Sequence, residues 1–234
     1  MKTILVCGSW GSGTTAVAGV LDRLGFTGFG PYYHTNDVRT PNSYELVPFR
    51  SMVLSLASEF SLSLTESSAE RIGQAVQGFR QRILDREFGP CDPQGDLPVF
   101  LKYPLSALLL PQICQCFDTR LIVVTRPLQA IEATRRRRNW PGQYGEAGAK
   151  VLYSRLFSAF VELGLPAHFV HYPQLVKTPE PLIRAMAEYC GRVPDDRLVS
   201  EAVRFISHRT LAREPGPRVA AASAGRTGCA MAAN

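Results

Sequence analysis

Two groups of residues in this 234-residue chain have types and spacing suited to holding anions. The first is Gly8-Ser9-Trp10-Gly11-Ser12-Gly13-Thr14-Thr15, with the G-x-x-x-x-G-x-[ST] spacing of a phosphate-binding loop. Its three glycines let backbone N–H groups converge, and the start of a following helix adds the positive end of its dipole. Thr14 stands where a nucleoside triphosphatase carries its lysine. The loop would therefore hold an anion with N–H groups and the hydroxyls of Ser12, Thr14 and Thr15, and would lack the cation that neutralises a γ-phosphate. The second group is Arg126 followed eight residues later by Thr134. An arginine at a strand end can make a paired, charge-assisted contact with a phosphate, and a hydroxyl two helical turns along can complete it.

The elements that must position these groups are legible as patterns. Residues 3–7, TILVC, form an uninterrupted β-branched and apolar run, as a buried parallel strand does. After the glycine loop, Ala16, Val17, Val20, Leu21 and Leu24 recur at helical spacing until Gly25. Residues 26–45 read as a long ordered loop, and long loops in compact domains are usually functional. Helices are expected at about 45–59 and 67–87, the second opening on a Ser67-Ser68-x-Glu70 capping signal. A turn-rich connector leads to a strand and turn at 99–104, a helix at 105–116 and the buried strand 120–125, RLIVVT, which ends at Arg126. Helices at 127–138 and 146–163, a strand at 167–172 and helices at 178–190 and 195–208 follow. This alternation predicts an α/β domain over 1–212, with a mainly parallel central sheet flanked by helices on both faces. Residues 213–234 are Ala- and Gly-rich without periodicity and read as a tail.

Three stretches in order, GSWGSGTTAVAGVLDRLG, LKYPLSALLLPQICQCFDTRLIVVTRPLQAIEATRRRR and FVHYPQLVKTPEPLIRAMAEYCG, resemble the successive signatures of the PAPS-dependent sulfotransferase family. PAPS is 3′-phosphoadenosine 5′-phosphosulfate. The resemblance implies a P-loop NTPase-like three-layer sandwich and PAPS as co-substrate with no metal. It implies that Ser9, Trp10, Gly11, Ser12, Gly13, Thr14 and Thr15 bind the 5′ end of the donor and that Arg126 and Thr134 bind its 3′-phosphate. It also accounts for the absent lysine, because a phosphosulfate needs no Mg²⁺-bridged γ-phosphate site. Many members carry a cation one residue before the Ser of S-G-T; here that residue is Gly11, preceded by Trp10. Lys102, at the end of VFLK, is the expected substitute, although the family often follows this lysine with Asp-Pro and here Tyr103-Pro104 follow. That cation would steady charge on the transferring group and the departing phosphate.

A base is also required to take the acceptor's proton, and His34 in the long loop and Glu45 at its end are the two candidates. Tyr32, Tyr33 and Trp10 are candidates for lining an acceptor pocket. Of the run Arg135 to Arg138, at most one or two can face a ligand, since successive helical residues point in different directions. His168 and His171 flank a strand and read as structural, and His208 as complementing a helix dipole. Gly225-Arg226-Thr227-Gly228 is faintly similar to the family motif that closes over the 3′-phosphate.

Composition narrows the alternatives. Hydrophobic residues are 45% and charged residues 20%, values of an ordinary folded protein. The net charge of +6 is not clustered beyond Arg135 to Arg138, so no nucleic-acid partner is expected. No apolar run is long enough to span a membrane. Met1-Lys2-Thr3 leads straight into a buried-strand pattern rather than a leader, and the six cysteines are scattered, so free thiols and a cytoplasmic location are expected. Cys114 and Cys116 have no second pair and read as non-ligands. The acceptor is expected to be a small molecule or sugar, and the sequence leaves the oligomeric state open. Two other readings remain open: an ATP or GTP kinase, and a nucleotide-binding protein without catalysis, which the glycine at position 11 would favour.

Overall fold

The computed structural model describes residues 1–35, 40–89 and 98–211, the last four of these as backbone only. The expected tail 213–234 with its Gly225–Gly228 motif, most of the connector before residue 98, Cys91 and the His208 side chain lie outside the described residues.

The centre is a four-stranded parallel sheet. Strand β1 (Lys2–Cys7) pairs on one side with Val99–Lys102 and on the other with Asp118–Thr125, which in turn pairs with Ala167–His171. Between β1 and Val99–Lys102 the chain forms helix α1 (Thr14–Arg23), short strands β2 (Tyr32–His34) and β3 (Asn42–Leu46), helix α2 (Val47–Leu56), the hairpin β4 (Ala57–Ser58) and β5 (Ser63–Leu64), and α3 (Ala69–Leu84). The three remaining sheet strands are β6 (Val99–Lys102), β7 (Asp118–Thr125) and β8 (Ala167–His171), giving the order β6-β1-β7-β8. A 3-10 turn (Pro104–Leu109) and α4 (Leu110–Cys116) precede β7. Helices α5 (Leu128–Arg137) and α6 (Glu146–Leu163) precede β8, and α7 (Tyr172–Lys177), α8 (Pro179–Tyr189) and α9 (Asp196–Leu211) follow it.

Strand alternation explains the layering. Leu5, Cys7, Leu101, Leu121 and Val123 face one core, packed by α2, α3, α4 and α6. Ile4, Val6, Phe100, Ile122, Val124 and Val170 face the other, packed by α1, α8 and α9. With both faces covered, the strand centres can be apolar without alternation, as Ile4–Cys7 and Leu121–Val124 are. Helix α1 ends at the expected glycine: Gly25 has φ 78°, and the Phe26 N–H reaches back to the Leu21 carbonyl at 3.0 Å. Gly19 in the same helix leaves room for the Phe205 ring of α9.

The structure corrects the reading of 26–59. Tyr32–His34 and Asn42–Leu46 pair as antiparallel strands, with Tyr32 opposite Leu46 and His34 opposite Asn42, where a long loop was expected. The helix then begins at Val47 with Pro48 in its first turn, a position where a missing N–H costs nothing. It stops at Leu56, and the chain turns through the β4–β5 hairpin, capped by the Ser58 hydroxyl accepting the N–H groups of Phe60 and Ser61. The expected helix at 105–116 divides into a 3-10 turn and α4, each with a proline in its first turn. The expected 178–190 helix is preceded by a separate short helix, α7, with Thr178 between them. The Ser68 hydroxyl caps α3 by accepting the Arg71 N–H. No helix among the described residues is long and apolar enough to cross a membrane.

Candidate functional site

The carboxyl ends of β1, β6 and β7 meet where the chain leaves β1 toward β6 on one side and later returns to β7 on the other. Open α/β sheets leave a crevice at such a switch point, and a cavity of about 570 Å³ lies there. Its walls include Gly11, Gly13, Thr14, Thr15 and Ala16 of the glycine loop and α1, and Lys102 and Pro104 after β6. Thr134, Arg137 and Arg138 of α5 and its end contribute a further wall.

The loop owes its shape to its glycines. Gly11 has φ 74° and Gly13, the N-cap of α1, has φ 108°, both in the left-handed region that side chains disfavour. A Cβ at Gly13 would also run into the Tyr172 ring. Position 11 is thus built for glycine, and the cation expected there in relatives has no unstrained place on this backbone. Ser12 N–H and Oγ both donate to the Ser9 carbonyl, at 3.2 and 2.7 Å, and Ser9 Oγ donates to the Trp10 carbonyl at 3.3 Å. These two hydroxyls are buried and brace the loop from behind, whereas Thr14 and Thr15 line the cavity. The Gly13 cap makes no side-chain hydrogen bond at the α1 N-terminus, and no acidic residue stands in the helix's first turn.

Arg126 and Thr134, eight residues apart, are brought together by the strand-to-helix turn. Arg126 Nη1 donates to Thr134 Oγ1 at 3.0 Å and to the Gly11 carbonyl at 2.9 Å, while Thr134 Oγ1 donates to the Ala130 carbonyl at 3.0 Å. The Arg126 guanidinium lies 5.3 Å from the Tyr172 ring centroid. Farther along α5 the arginine run divides as helical geometry demands. Arg135 and Arg136 pair with Glu132, at 2.7 and 3.0 Å, and Arg137 and Arg138 line the cavity. Arg138 also donates to Thr40 Oγ1 at 3.0 Å and stacks over Trp140 at 4.6 Å.

Lys102 is the last residue of β6, opposite Val6 in register, which delivers its side chain beside the glycine loop. It is only 3% exposed. Its ammonium donates to Thr15 Oγ1 at 3.1 Å, the Ser43 carbonyl at 2.9 Å and Glu45 Oε1 at 2.8 Å. Glu45 follows Tyr44 on β3; Tyr44, at φ 57°, departs from regular strand geometry and packs toward Phe100, while Glu45 reaches Lys102. A buried charge pair of this kind is stable only when both members remain. His34 is exposed on β2 and is not among the cavity-lining residues. Of the three aromatics expected at an acceptor pocket, Trp10 and Tyr33 line the cavity, and Tyr32 packs against Tyr44 at 5.4 Å instead.

Sequence patterns gave no sign of Arg50, Glu59, Tyr103, Trp140 or Tyr144. Arg50 of α2 lies 3.8 Å from Glu45 Oε2 and 3.3 Å from Glu59 Oε1. The Tyr103 hydroxyl donates to the same Glu59 oxygen at 2.5 Å. Burial, then the hydrogen bond to Glu59, pushes the Tyr103 hydroxyl pKa far up, and burial beside the Glu59 charge pushes Tyr144 up to about 12. Both phenols are protonated donors at neutral pH. Tyr144 also stacks near Trp10, with ring centroids 4.4 Å apart.

Cys7, Cys114, Cys116 and Cys190 are free thiols. Burial holds Cys7 and Cys190 in the thiol form by pushing each up to about 12. Among the described residues no group of His, Cys, Asp or Glu is arranged to hold a metal ion.

No family model matches the chain, and no curated protein matches it in sequence. Its fold does have solved counterparts. It is similar to the sulfotransferase domain of the Synechococcus PCC 7002 olefin synthase, at 18% identity and TM-score 0.52 over 86% of this chain and 77% of that one. It is also similar to the sulfotransferase STF9 of Mycobacterium avium, at 14% identity and TM-score 0.54 over 88% of this chain and 68% of that one. The chain therefore has a sulfotransferase-like α/β fold.

Proposed function

We propose that this chain is a sulfotransferase that moves the sulfuryl group of PAPS to a hydroxyl or amine of a small-molecule or carbohydrate acceptor. The observation that carries this reading is one cavity lined both by the glycine loop with the α1 N-terminus and by Thr134, to which Arg126 donates. The glycine loop and the α1 N-terminus suit the 5′ end of the donor, and the Arg126–Thr134 pair suits the 3′-phosphate, with Arg137 and Arg138 close by. A nucleotide with phosphates at both ends of its ribose would use both groups, and a fold shared with sulfotransferases supports the reading. When bound, PAPS supplies a sulfuryl group on a good leaving group.

The protein's part follows from its own residues. Backbone N–H groups of the loop would steady the 5′-phosphate without a side-chain charge. Lys102, held by Glu45, Thr15 and the Ser43 carbonyl, would face the charge that develops at the bridging oxygen. In this reading Lys102 does the work that a cation at position 11 does in relatives, and Glu45 keeps it charged and aimed. Trp10, Tyr33, Tyr144 and Trp140 offer ring faces to the acceptor and exclude water from the cavity.

Calorimetry with 3′-phosphoadenosine 5′-phosphate (PAP), AMP and ATP tests the donor site, and transfer of labelled sulfate from PAPS to phenol, amine and sugar acceptors tests the reaction. Tight PAP binding, weak AMP binding and labelled product are expected. Mg²⁺-dependent ATP binding in preference to PAP would sink the reading, and PAP binding without transfer would leave a nucleotide-binding protein instead.

A further inference from the structure

Resting on that sulfuryl-transfer reading, the geometry points to Glu59 as the base that takes the acceptor's proton. Three groups compete for the role. His34 is exposed and is not among the residues that line the cavity. Glu45 and Glu59 both line it, and the difference between them lies in what each leaves behind on accepting a proton. Glu45 Oε1 is the counter-charge of Lys102 at 2.8 Å, and its side chain is 10% exposed. Neutralising Glu45 would strand a buried ammonium on a hydroxyl and a carbonyl, which low-dielectric surroundings penalise heavily.

Glu59 is placed differently. Its charged partner is Arg50, at 3.3 Å, and Arg50 has a second carboxylate, Glu45, at 3.8 Å. When Glu59 takes a proton, Arg50 keeps Glu45 and no buried cation is orphaned. The Glu59 side chain is also the more open of the two, at 24% exposed. It stands on the turn of the β4–β5 hairpin, and Tyr103 donates to it at 2.5 Å from the residue that follows Lys102. Glu59 is thereby tied to the strand end that carries the cation, so that base and cation hold fixed relative positions. Arg50 is a positioning residue shared by the two carboxylates.

The step balances as follows. The acceptor oxygen forms a bond to sulfur. The bond from sulfur to the 5′-phosphate oxygen breaks with its electron pair going to that oxygen, and the acceptor's proton passes to a Glu59 carboxylate oxygen. A hydroxyl becomes strongly acidic as its oxygen bonds to sulfur, so a carboxylate is a sufficient base.

The test uses the full chain with ³⁵S-labelled PAPS. Water serves as the first acceptor, read as sulfate release, and 2-naphthol and glucosamine serve as further ones. Glu59→Gln should lower kcat by about 100-fold or more, remove the acid limb of the kcat–pH profile and leave PAP affinity within about twofold of the parent. Glu59→Ala should recover turnover when formate is added, a response that a purely structural role does not produce. Turnover of Glu59→Gln within a few-fold of the parent, no formate rescue, or loss of the acid limb in Glu45→Gln while Glu59→Gln keeps it, each overturns the assignment with the transferase reading intact. A parent protein that transfers sulfate to none of these acceptors overturns both.

Discussion

Replacing Arg126 with alanine removes the residue on which the proposed two-ended donor site depends. Arg126 is not itself among the cavity-lining residues, but its Nη1 bonds Thr134 Oγ1 and the Gly11 carbonyl at 3.0 and 2.9 Å, and both of those residues line the cavity. Hydrogen bonds to charged groups contribute about 1.5–3 kcal/mol each. At about 1.4 kcal/mol per tenfold, loss of one such bond weakens PAP binding by roughly 10- to 150-fold. AMP lacks the 3′-phosphate and should lose only the indirect cost of a Gly11 backbone no longer held by Arg126, a smaller factor than PAP loses. The discriminating quantity is therefore the ratio of PAP to AMP affinity, measured by calorimetry on parent and variant in the same buffer. The ratio should collapse in Arg126→Ala and fall about tenfold in Thr134→Val, which keeps the side-chain shape and removes the hydroxyl. Equal losses for PAP and AMP would refute the reasoning, because Arg126 would then act on the loop alone; so would an unchanged PAP affinity.

Further outcomes follow from the same structure. Lys102→Ala, which leaves Glu45 with only Arg50 at 3.8 Å, should destabilise in urea unfolding by less than the ~3–5 kcal/mol of a fully orphaned buried charge; Lys102→Met with Glu45→Gln should recover most of that stability and none of the transfer activity. Gly13→Ala, at φ 108° and against Tyr172, should destabilise by about 1–3 kcal/mol and abolish PAP binding, read by thermal unfolding with and without PAP. Gly73 and Gly78 lie inside α3 with nothing near a new Cβ, so alanine at both should add about 1–2 kcal/mol in urea unfolding. Hydrogen bonds from Arg135, then Arg136 and the Glu146 N–H, hold the Glu132 carboxyl down at about 2. A carboxylate depressed on folding stabilises above its unfolded pKa, and that stability is lost as pH falls from about 4.5 toward 2. Stability measured across that window should fall less steeply in Glu132→Gln.

The glycine loop and the Arg126–Thr134 pair, proposed above to hold the donor, could be picked out from the chain because each is local to one stretch. The strand, glycine turn and helix of 3–24 are contiguous, and Arg126 and Thr134 are joined by a single strand-to-helix turn. The paired runs TILVC and RLIVV announce a sheet covered on both faces because strands buried that way need no polar alternation. The side of the cavity proposed to face the acceptor was not legible, for a physical reason. Arg50, Glu59, Tyr103 and Tyr144 come from α2, a hairpin turn, a strand end and the turn before α6, and only tertiary packing brings them together. In the linear sequence each passes for a surface charge or a packing aromatic. The reading of 26–45 as loop failed because proline and glycine breakers hide two strands too short to show a period. Among the loop hydroxyls, residue type alone could not separate Thr14 and Thr15, which line the cavity, from Ser9 and Ser12, which bond within the loop.

The bond from Arg126 to the Gly11 carbonyl carries a further consequence, in entropy. A long, flexible side chain that must be ordered by its ligand gives up about 0.5–1.5 kcal/mol of binding free energy to do so. Here the guanidinium is held by two hydrogen bonds through Nη1, to the glycine loop and to the neighbouring Thr134 of α5, before any ligand arrives. The same bonds fix the loop backbone to α5. An anion entering either arrangement meets a partner whose geometry the other has already fixed, so little ordering is left for binding to supply at either end.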